Sequence, residues 1–286
     1  MKFIKYLFAA ALFLGLSLLA FGQKAETNRF KRTTTKTERI DLGAGGKVTM
    51  TGAPVGAISI EGWRERTVEI TADISVEASS REDLELLSKV SSFTADADAN
   101  HIRIISTGTN DRDFLKKNFK KFPKHLLNLP WRIDYRIKVP VLTDLDINAG
   151  RGNFDLNLVE GFIVIKSLEA ETANLSLTGG SIQATFGTGN INLKINSRSF
   201  RGLGGDIQLA KGEMNIVLPS DMNADFDADI LRTGEIENLF DNLKPRDRTK
   251  FTQTKMQARS GVGGAKFIFT VGDGRLRLMS DARSDN

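Results

Sequence analysis

Residues 145–195 read LDINAGRGNFDLNLVEGFIVIKSLEAETANLSLTGGSIQATFGTGNINLKI, and this stretch decides the fold. Its apolar residues stand two positions apart in short pieces, such as Leu145 with Ile147 and Leu175 with Leu177. Glycines separate the pieces, whose centres recur at roughly 8 to 10 residues, the spacing of short strands joined by tight turns. The pattern continues towards the C-terminus and defines a glycine-punctuated β-repeat region at 141–280.

Repeats of this length are too small to bury their own apolar faces, so they must stack on one another. The pattern therefore predicts an all-β fold, a β-solenoid-like stack of short strands with one or two short helices. An antiparallel β-sandwich has short strands at a similar spacing and remains the alternative. Under either fold, Gly189, Gly205 and asparagines such as Asn174 fit turns with positive φ. We expect valine at either glycine to destabilise the fold.

The region 35–140 is also β-rich but contains helical segments. Apolar and polar residues alternate from Val68 to Val76, which is typical of a half-buried strand. A capping-box pattern followed by leucines at three-residue spacing predicts a helix from about Ser80 to Ser91. Asn110 is expected to cap a second short helix, which Pro123 should end.

The first residues have the form of an export signal. Two lysines precede an unbroken apolar run from Tyr6 to Phe21, and small residues then mark a cleavage site before Gln23. The pattern predicts a signal peptide at 1–22, followed by a flexible N-terminal segment at 23–34, with a disordered tail at 281–286. The mature protein is therefore expected to be exported, to the periplasm, the cell surface or the extracellular space.

Composition excludes several classes of chemistry and of partner. The 286 residues include no cysteine, so neither a disulfide nor a thiolate metal site or nucleophile can form. The 40 Lys and Arg residues nearly balance the 35 Asp and Glu residues, giving a net charge of +5. That balance argues against nucleic acid as a partner, and only a local charged patch is expected to matter.

Several motifs together resemble a known family, the exported bacterial β-strand-repeat domains of unknown function that are labelled putative adhesins. The resemblance covers about Thr35 to Met279. It is carried by the pieces GAISIEGW at 56–63, VEITA at 68–72, HIRI at 101–104 and YRIKVP at 135–140, and by the glycine-punctuated strands that follow. The resemblance implies a secreted or envelope-associated β-solenoid-like domain without established catalysis. A basic insertion at 111–129 departs from the family pattern.

The sequence gives little support for a catalytic or metal-binding site. Neither His101 nor His125 has a Ser or Asp at a recognisable nucleophile spacing. The run that starts at Asp96 opens like a calcium loop, but it has His101 where glycine is required and Thr107 where glutamate is required. A second acidic run, Asp225 to Asp229, is expected to be a solvated face that neighbouring Lys or Arg residues neutralise. We therefore predict no catalytic, cofactor-binding or metal-binding residue, and no cofactor.

The basic insertion is the one unusual surface feature. It combines lysines with aromatic residues, as a basic amphipathic helix at a membrane surface does. The same helix could instead cap an open end of the β-core. The residues of this possible surface contact are Lys116, Lys117, Phe119, Lys120, Lys121, Phe122 and Lys124.

These observations lead to three functional hypotheses. The first is a non-enzymatic exported structural or interaction protein of the cell envelope, adhesin-like, with an unknown envelope protein or polysaccharide as partner. The alternative is a peripheral envelope-binding module that contacts anionic lipid or polysaccharide through the basic insertion, with a possible anionic membrane surface as partner. The third, least favoured, is a hydrolase with a carboxylate pair.

Overall fold

The computed structural model describes residues 29–281 apart from residues 120, 128, 242 and 247. Within these residues the chain forms sixteen strands, two α-helices and one 3₁₀ helix. The elements are β1 Phe30–Asp41, β2 Lys47–Thr51, β3 Ile58–Trp63, β4 Thr67–Ala78, α1 Arg81–Val90, β5 Ser92–Asp98, β6 His101–Thr107, α2 Arg112–Asn118, the 3₁₀ helix Lys124–Leu126, β7 Trp131–Pro140, β8 Asp144–Arg151, β9 Phe154–Asn157, β10 Phe162–Leu177, β11 Gly179–Ile195, β12 Arg201–Pro219, β13 Ala224–Leu239, β14 Lys244–Pro245, β15 Lys255–Ser260 and β16 Ala265–Asp281.

The strands form one large mixed sheet that folds over onto itself. The long strands β10 to β13 and β16 bend near their middles, so the first half of β10 pairs with β8 and its second half with β9. The first halves, with β5, β6, β2, β8, β15 and β14, make a back layer. The second halves, with β1, β4, β7, β3 and β9, make a front layer. Apolar side chains of both layers meet in one core.

Neighbouring strands of the repeat region run parallel and in register. Ile163 of β10 lies between Leu145 of β8 and Ile182 of β11. The antiparallel sandwich alternative is wrong for this region, because β8, β10, β11, β12, β16 and β13 all pair in parallel. Antiparallel pairs occur at the flanks, between β1, β4 and β7, between β5 and β6, and between β13, β15 and β14.

Within the repeat region, the long strands do not all stack in sequence order. The last long strand, β16, lies between β12 and β13 and pairs in parallel with both. The hairpin strand β15 pairs with the other edge of the first half of β13. The chain thus leaves a gap beside β12 that its C-terminal strand fills.

Stacked glycines allow the long strands to bend. Gly189 has a φ of 141°, and a Cβ there would overlap the carbonyl oxygen of Ala170 in the strand before it. Gly212, Gly274 and Gly234 repeat this conformation on β12, β16 and β13. Gly205 differs from the expectation, since its φ is not positive. A Cβ there would instead lie 2.6 Å from Cγ2 of Ile182, so packing rather than backbone conformation requires glycine at this position.

The N-terminal region forms the strands and the helix that its periodicity predicts. The residues of β4 alternate between buried and partly exposed along its whole length. Helix α1 begins after Ser80, whose side chain accepts from the backbone of Asp83, and it buries Leu84, Leu87 and Val90. Asn110 is not the cap of α2, because the side chain of Asp111 accepts from the backbone of Phe114.

Strand β1 is an edge strand protected by charge. It begins at Phe30 and therefore includes residues 30–34, which the sequence analysis assigned to a flexible segment. Lys36 pairs with Ala72 on the core side of β4 and donates to the carbonyl of Phe93 at 2.9 Å. An inward-pointing charge on an edge strand opposes pairing with another chain.

Several predictions concern residues at the two ends of the chain that the structure does not describe. The signal peptide at 1–22 lies outside the described residues, as do 23–28 and 282–286. Asp281, predicted to begin the disordered tail, belongs instead to β16. Within the described residues, none of the helices has the length and apolar character needed to span a bilayer.

Candidate functional site

A row of hydrogen-bonded polar side chains crosses the front layer. Asn174 donates to Asp155 at 2.8 Å, Asn192 donates to Asn174 at 3.0 Å, and Asn215 donates to Asn192 at 3.1 Å. The four residues occupy matching positions on β9, β10, β11 and β12. We call this row the amide ladder.

The amide ladder points away from the core. Each of its residues stands between two buried apolar residues, as Asn192 does between Ile191 and Leu193. A carboxamide carries two N–H donors and an oxygen with two lone pairs. The ladder bonds use one N–H of each asparagine and one lone pair of Asn174 and of Asn192. Each asparagine therefore keeps at least one donor and one acceptor for a ligand.

A shallow groove of about 790 Å³ lies over the amide ladder. Ser59 and Glu61 lie at its β3 end, and Val217 and Met279 lie at its β16 end. The volume falls within the range of about 300 to 1,000 Å³ that is usual for small-molecule sites. Polar side chains line most of the groove, and Val217 and Met279 give it an apolar end.

Charged residues beside the groove pair with one another. Lys194 lies 3.0 Å from Asp281, and Arg277 contacts both Glu213 and Glu237, at 3.3 and 2.8 Å. These pairs leave the middle of the groove, at the asparagines, without net charge. Glu61 and Asp155 add negative charge at the β3 end, so the site suits a neutral polar ligand better than an anionic one.

The glycine-rich pattern predicts a turn at Asn174, and that prediction is wrong. Asn174 lies within β10, and the polar side of the strand faces solvent there. A signal was present in the sequence, because an asparagine or aspartate stands between two apolar residues at Asp155, Asn174, Asn192 and Asn215. Side-chain pairing across strands could be found only once the parallel register was known.

The acidic run on the back layer is neutralised as expected. Asp225 pairs with Arg259 at 2.7 Å, and Asp229 pairs with Lys255 at 3.6 Å. Asp227 contacts Lys266 at 3.0 Å and also Arg246. The hydrogen bond from Arg259 holds the pKa of Asp225 below its ordinary value. Among the described residues, no three His, Asp or Glu side chains are arranged to hold a metal ion.

The structure places most residues of the predicted basic contact on the surface. Lys116, Lys117, Lys121 and Lys124 are exposed, while Lys120 lies outside the described residues. Phe119 and Phe122 are both half-buried, and their rings meet edge to face at 5.8 Å.

The insertion is attached to the core by its apolar residues. Leu126 is 0% exposed and belongs to the core, and Phe122 packs against that core. Leu115 of α2 is also buried. These contacts agree with the predicted cap, and they leave the lysines facing outward.

A polar contact also attaches the insertion to α1. His125 lies 3.0 Å from a carboxylate oxygen of Asp83. The hydrogen bond from His125, followed by that from Ser80, holds the pKa of Asp83 below its ordinary value. His101 lies elsewhere, with Nε2 at 2.6 Å from the hydroxyl of Thr49.

Buried polar groups lie at the residues that flank the insertion and at the end of α1. A Cβ on Gly108 would lie 2.4 Å from the indole ring of Trp131, so only glycine fits beneath the ring. The side-chain polar atoms of Ser91, Thr109 and Trp131 are buried and have no hydrogen-bond partner among the described residues. Nearby Tyr135 is bonded to Ser106 at 2.7 Å, and burial raises the pKa of its hydroxyl.

Comparison with known proteins gives distant structural neighbours. No protein-family model matches the chain, and no curated protein matches it. One similar structure is a putative cell adhesion protein from Clostridium sporogenes, with 12% identity, a TM-score of 0.43, and coverage of 87% of this chain and 100% of that one. Another is a putative adhesin from Bacteroides fragilis, with 10% identity, a TM-score of 0.28, and coverage of 86% and 97%.

A third is a putative lipid binding protein from Parabacteroides distasonis, with 11% identity, a TM-score of 0.24, and coverage of 86% and 94%. Structural neighbours of this chain thus include bacterial proteins described as adhesins, the group that the sequence motifs resemble. Because the identities and TM-scores are low, a function for this chain has to rest on its own surface.

Proposed function

We propose that this chain is a non-enzymatic, exported interaction protein of the cell envelope, adhesin-like, built as a β-solenoid-like stack. It acts in the periplasm, at the cell surface or outside the cell, and its partner is an envelope protein or polysaccharide rather than nucleic acid. The amide ladder is the observation that carries the proposal, because it holds a row of polar groups in fixed positions on an exposed sheet face.

Rigidity makes this face suited to binding. The ladder bonds and the parallel strands below them fix the side chains before a partner arrives. A partner then binds without the entropy cost of ordering those side chains, which is roughly 0.5 to 1.5 kcal/mol for each one immobilised.

Binding of the labelled protein to isolated cell envelopes tests this function. Asn174→Arg places a long charged side chain on the amide ladder, and we expect it to abolish binding. Thr185→Arg places the same side chain on the exposed face of the back layer, on the first half of β11, and we expect it to bind like the parent. Equal binding by both variants, or no binding by the parent, would contradict the proposal.

A second function is favoured by the exposed lysines of the insertion. Lys116, Lys117, Lys121 and Lys124 project from a segment that is anchored to the core, so they could hold the domain at an anionic membrane or polysaccharide. Each lysine near an anionic surface contributes about 1 kcal/mol. In this proposal the aromatic residues attach the insertion to the domain, and the lysines supply the contact.

A further inference from the structure

The groove over the amide ladder has the chemistry of a carbohydrate site. We propose that it binds a neutral, hydroxyl-rich polysaccharide chain, which lies across the strands along Asp155, Asn174, Asn192 and Asn215. This inference rests on the proposed function and names the class of ligand that the amide face takes.

The hydrogen-bonding pattern selects hydroxyl groups. Asn174 and Asn192 each present one free N–H and one free lone pair beside each other, and the next strand repeats the pair. A sugar hydroxyl is both a donor and an acceptor, so it can meet such a pair, whereas a phosphate or carboxylate can only accept. An anionic chain would also lie close to Asp155 and Glu61, which disfavours it.

The repeat of the ladder suits a polymer. Adjacent strands lie about 4.8 Å apart, which is comparable to the advance of one pyranose unit along an extended chain. A chain that crosses the strands would therefore bring successive sugar units to successive ladder residues. Val217 and Met279 at the β16 end offer apolar contact for the C–H face of a ring.

A peptide is a less suitable occupant of this groove. An extended peptide binds a sheet mainly by pairing with a free strand edge. The ladder lies on the face of the sheet, and the backbones of β10, β11 and β12 are paired on both sides there.

Calorimetric titration of the mature protein with cello-oligosaccharides and manno-oligosaccharides of two to six units tests the inference. We expect at least one series to bind, with affinity that rises with length up to about four units, because the ladder has four side chains. Asn192→Leu should weaken binding about tenfold or more, since it removes both free groups in the middle of the ladder. Thr185→Leu, on the back layer of the same strand, should leave the affinity unchanged.

Ser59→Tyr is a second variant that distinguishes a direct loss of binding from misfolding. It fills the β3 end of the groove without removing a ladder group, so it should weaken binding of the longer oligosaccharides while the melting temperature stays close to that of the parent. Binding that is equal in the parent, Asn192→Leu and Ser59→Tyr would overturn the inference.

Control ligands separate this inference from the proposed function. Binding only to an acidic oligosaccharide or to a peptide of similar length, or to no oligosaccharide at millimolar concentration, overturns the carbohydrate assignment. If isolated envelopes still bind the parent and reject Asn174→Arg, the interaction function stands and the ligand is of another class. If isolated envelopes also fail to bind the parent, both proposals are wrong.

Discussion

Single glycines decide whether the long strands can bend. Gly189 combines a φ of 141° with a backbone oxygen where its Cβ would stand. Gly189→Val should lower the free energy of unfolding by about 3 kcal/mol, the upper range for a strained backbone residue. Gly43→Ala is the control, because its Cβ would meet nothing within 4 Å. Equal urea midpoints for Gly189→Val and the parent would refute this account of the bend.

Thr109 has a buried hydroxyl that should destabilise the fold. Its hydroxyl is buried without a partner among the described residues, at 1% exposure of the residue. Thr109→Val replaces that hydroxyl by a methyl group of similar size and should stabilise the fold by about 1 kcal/mol.

Thr143 provides the matched control for this change. It is equally buried, but its hydroxyl donates to the carbonyl of Pro140 at 2.7 Å. Thr143→Val should therefore destabilise by about 1 kcal/mol or more. Urea denaturation of both variants measures the two signs, and a destabilised Thr109→Val would show that its hydroxyl is hydrogen-bonded in solution.

Asp225 makes stability depend on pH in acid. Its pKa in the folded chain lies below the ordinary value of 3.8, chiefly because Arg259 donates to it. The stabilisation is therefore fully present above that ordinary value and is lost as the pH falls through the folded pKa. Arg259→Gln should cost about 1 kcal/mol or less at pH 7, because half of the Arg259 side chain is exposed.

Denaturation at neutral and acidic pH measures this effect. The difference in stability between the parent and Arg259→Gln should shrink as the pH is lowered past the pKa of Asp225. A difference that stays constant from pH 7 into that acid range would exclude the ion pair as its source.

At the scale of elements, the insertion is held by one buried residue more than by its aromatic pair. Leu126→Ala should cost about 2 to 5 kcal/mol, because the side chain is 0% exposed within the core. Phe119→Ala should cost less, since Phe119 is half-buried and contacts Phe122 at the outer side. Thermal melts of the two variants test this order, and a larger loss for Phe119→Ala would reverse the account of how the insertion is anchored.

The lysines of the same insertion are tested separately from its packing. Charge reversal at Lys116, Lys117 and Lys121 should leave the melting temperature nearly unchanged, because all three are exposed. It should abolish sedimentation with anionic vesicles at low salt if the second proposed function holds. Reversal of Lys166, Lys211 and Lys250 is the control, because it makes the same change of charge at exposed positions outside the insertion. If the parent does not sediment with anionic vesicles, the second proposed function is wrong and the insertion acts only as a cap.

At the scale of the whole molecule, β16 places Ala265–Asp281 in the middle of the sheet, between β12 and β13. A chain that ends at Gly264 would lack the strand between β12 and β13 and would expose an unpaired edge on each. Such edges promote aggregation. We expect this truncated chain to be insoluble or to unfold without a cooperative transition. A soluble product that melts cooperatively near the parent's temperature would contradict the order of the strands.

The sequence alone determined the class of fold and much of its local structure. Period-two alternation marks β4 and a capping pattern marks α1, because these signals depend on residues close together in the chain. The glycines predicted turns between short strands, whereas Gly189 and Gly212 lie at bends within long strands. Neutralisation of the acidic run at Asp225 was also predicted, because like charges on one strand face repel unless they are countered. Its partner Arg259 lies on another strand and was not identified from the sequence. The contact role of the basic insertion stays a prediction, and the burial of Leu126 was not predicted.

Tertiary structure alone decided how these pieces meet. Three features join residues that are distant in sequence. They are the position of β16 beside β12, the alignment of Asn174 with Asn192, and the packing of Leu126 into the core. Local preferences are the same for many registers and strand orders. The chain adopts the arrangement that best buries its apolar faces and pairs its backbone groups at the same time. That total free energy depends on the whole chain and not on any single segment.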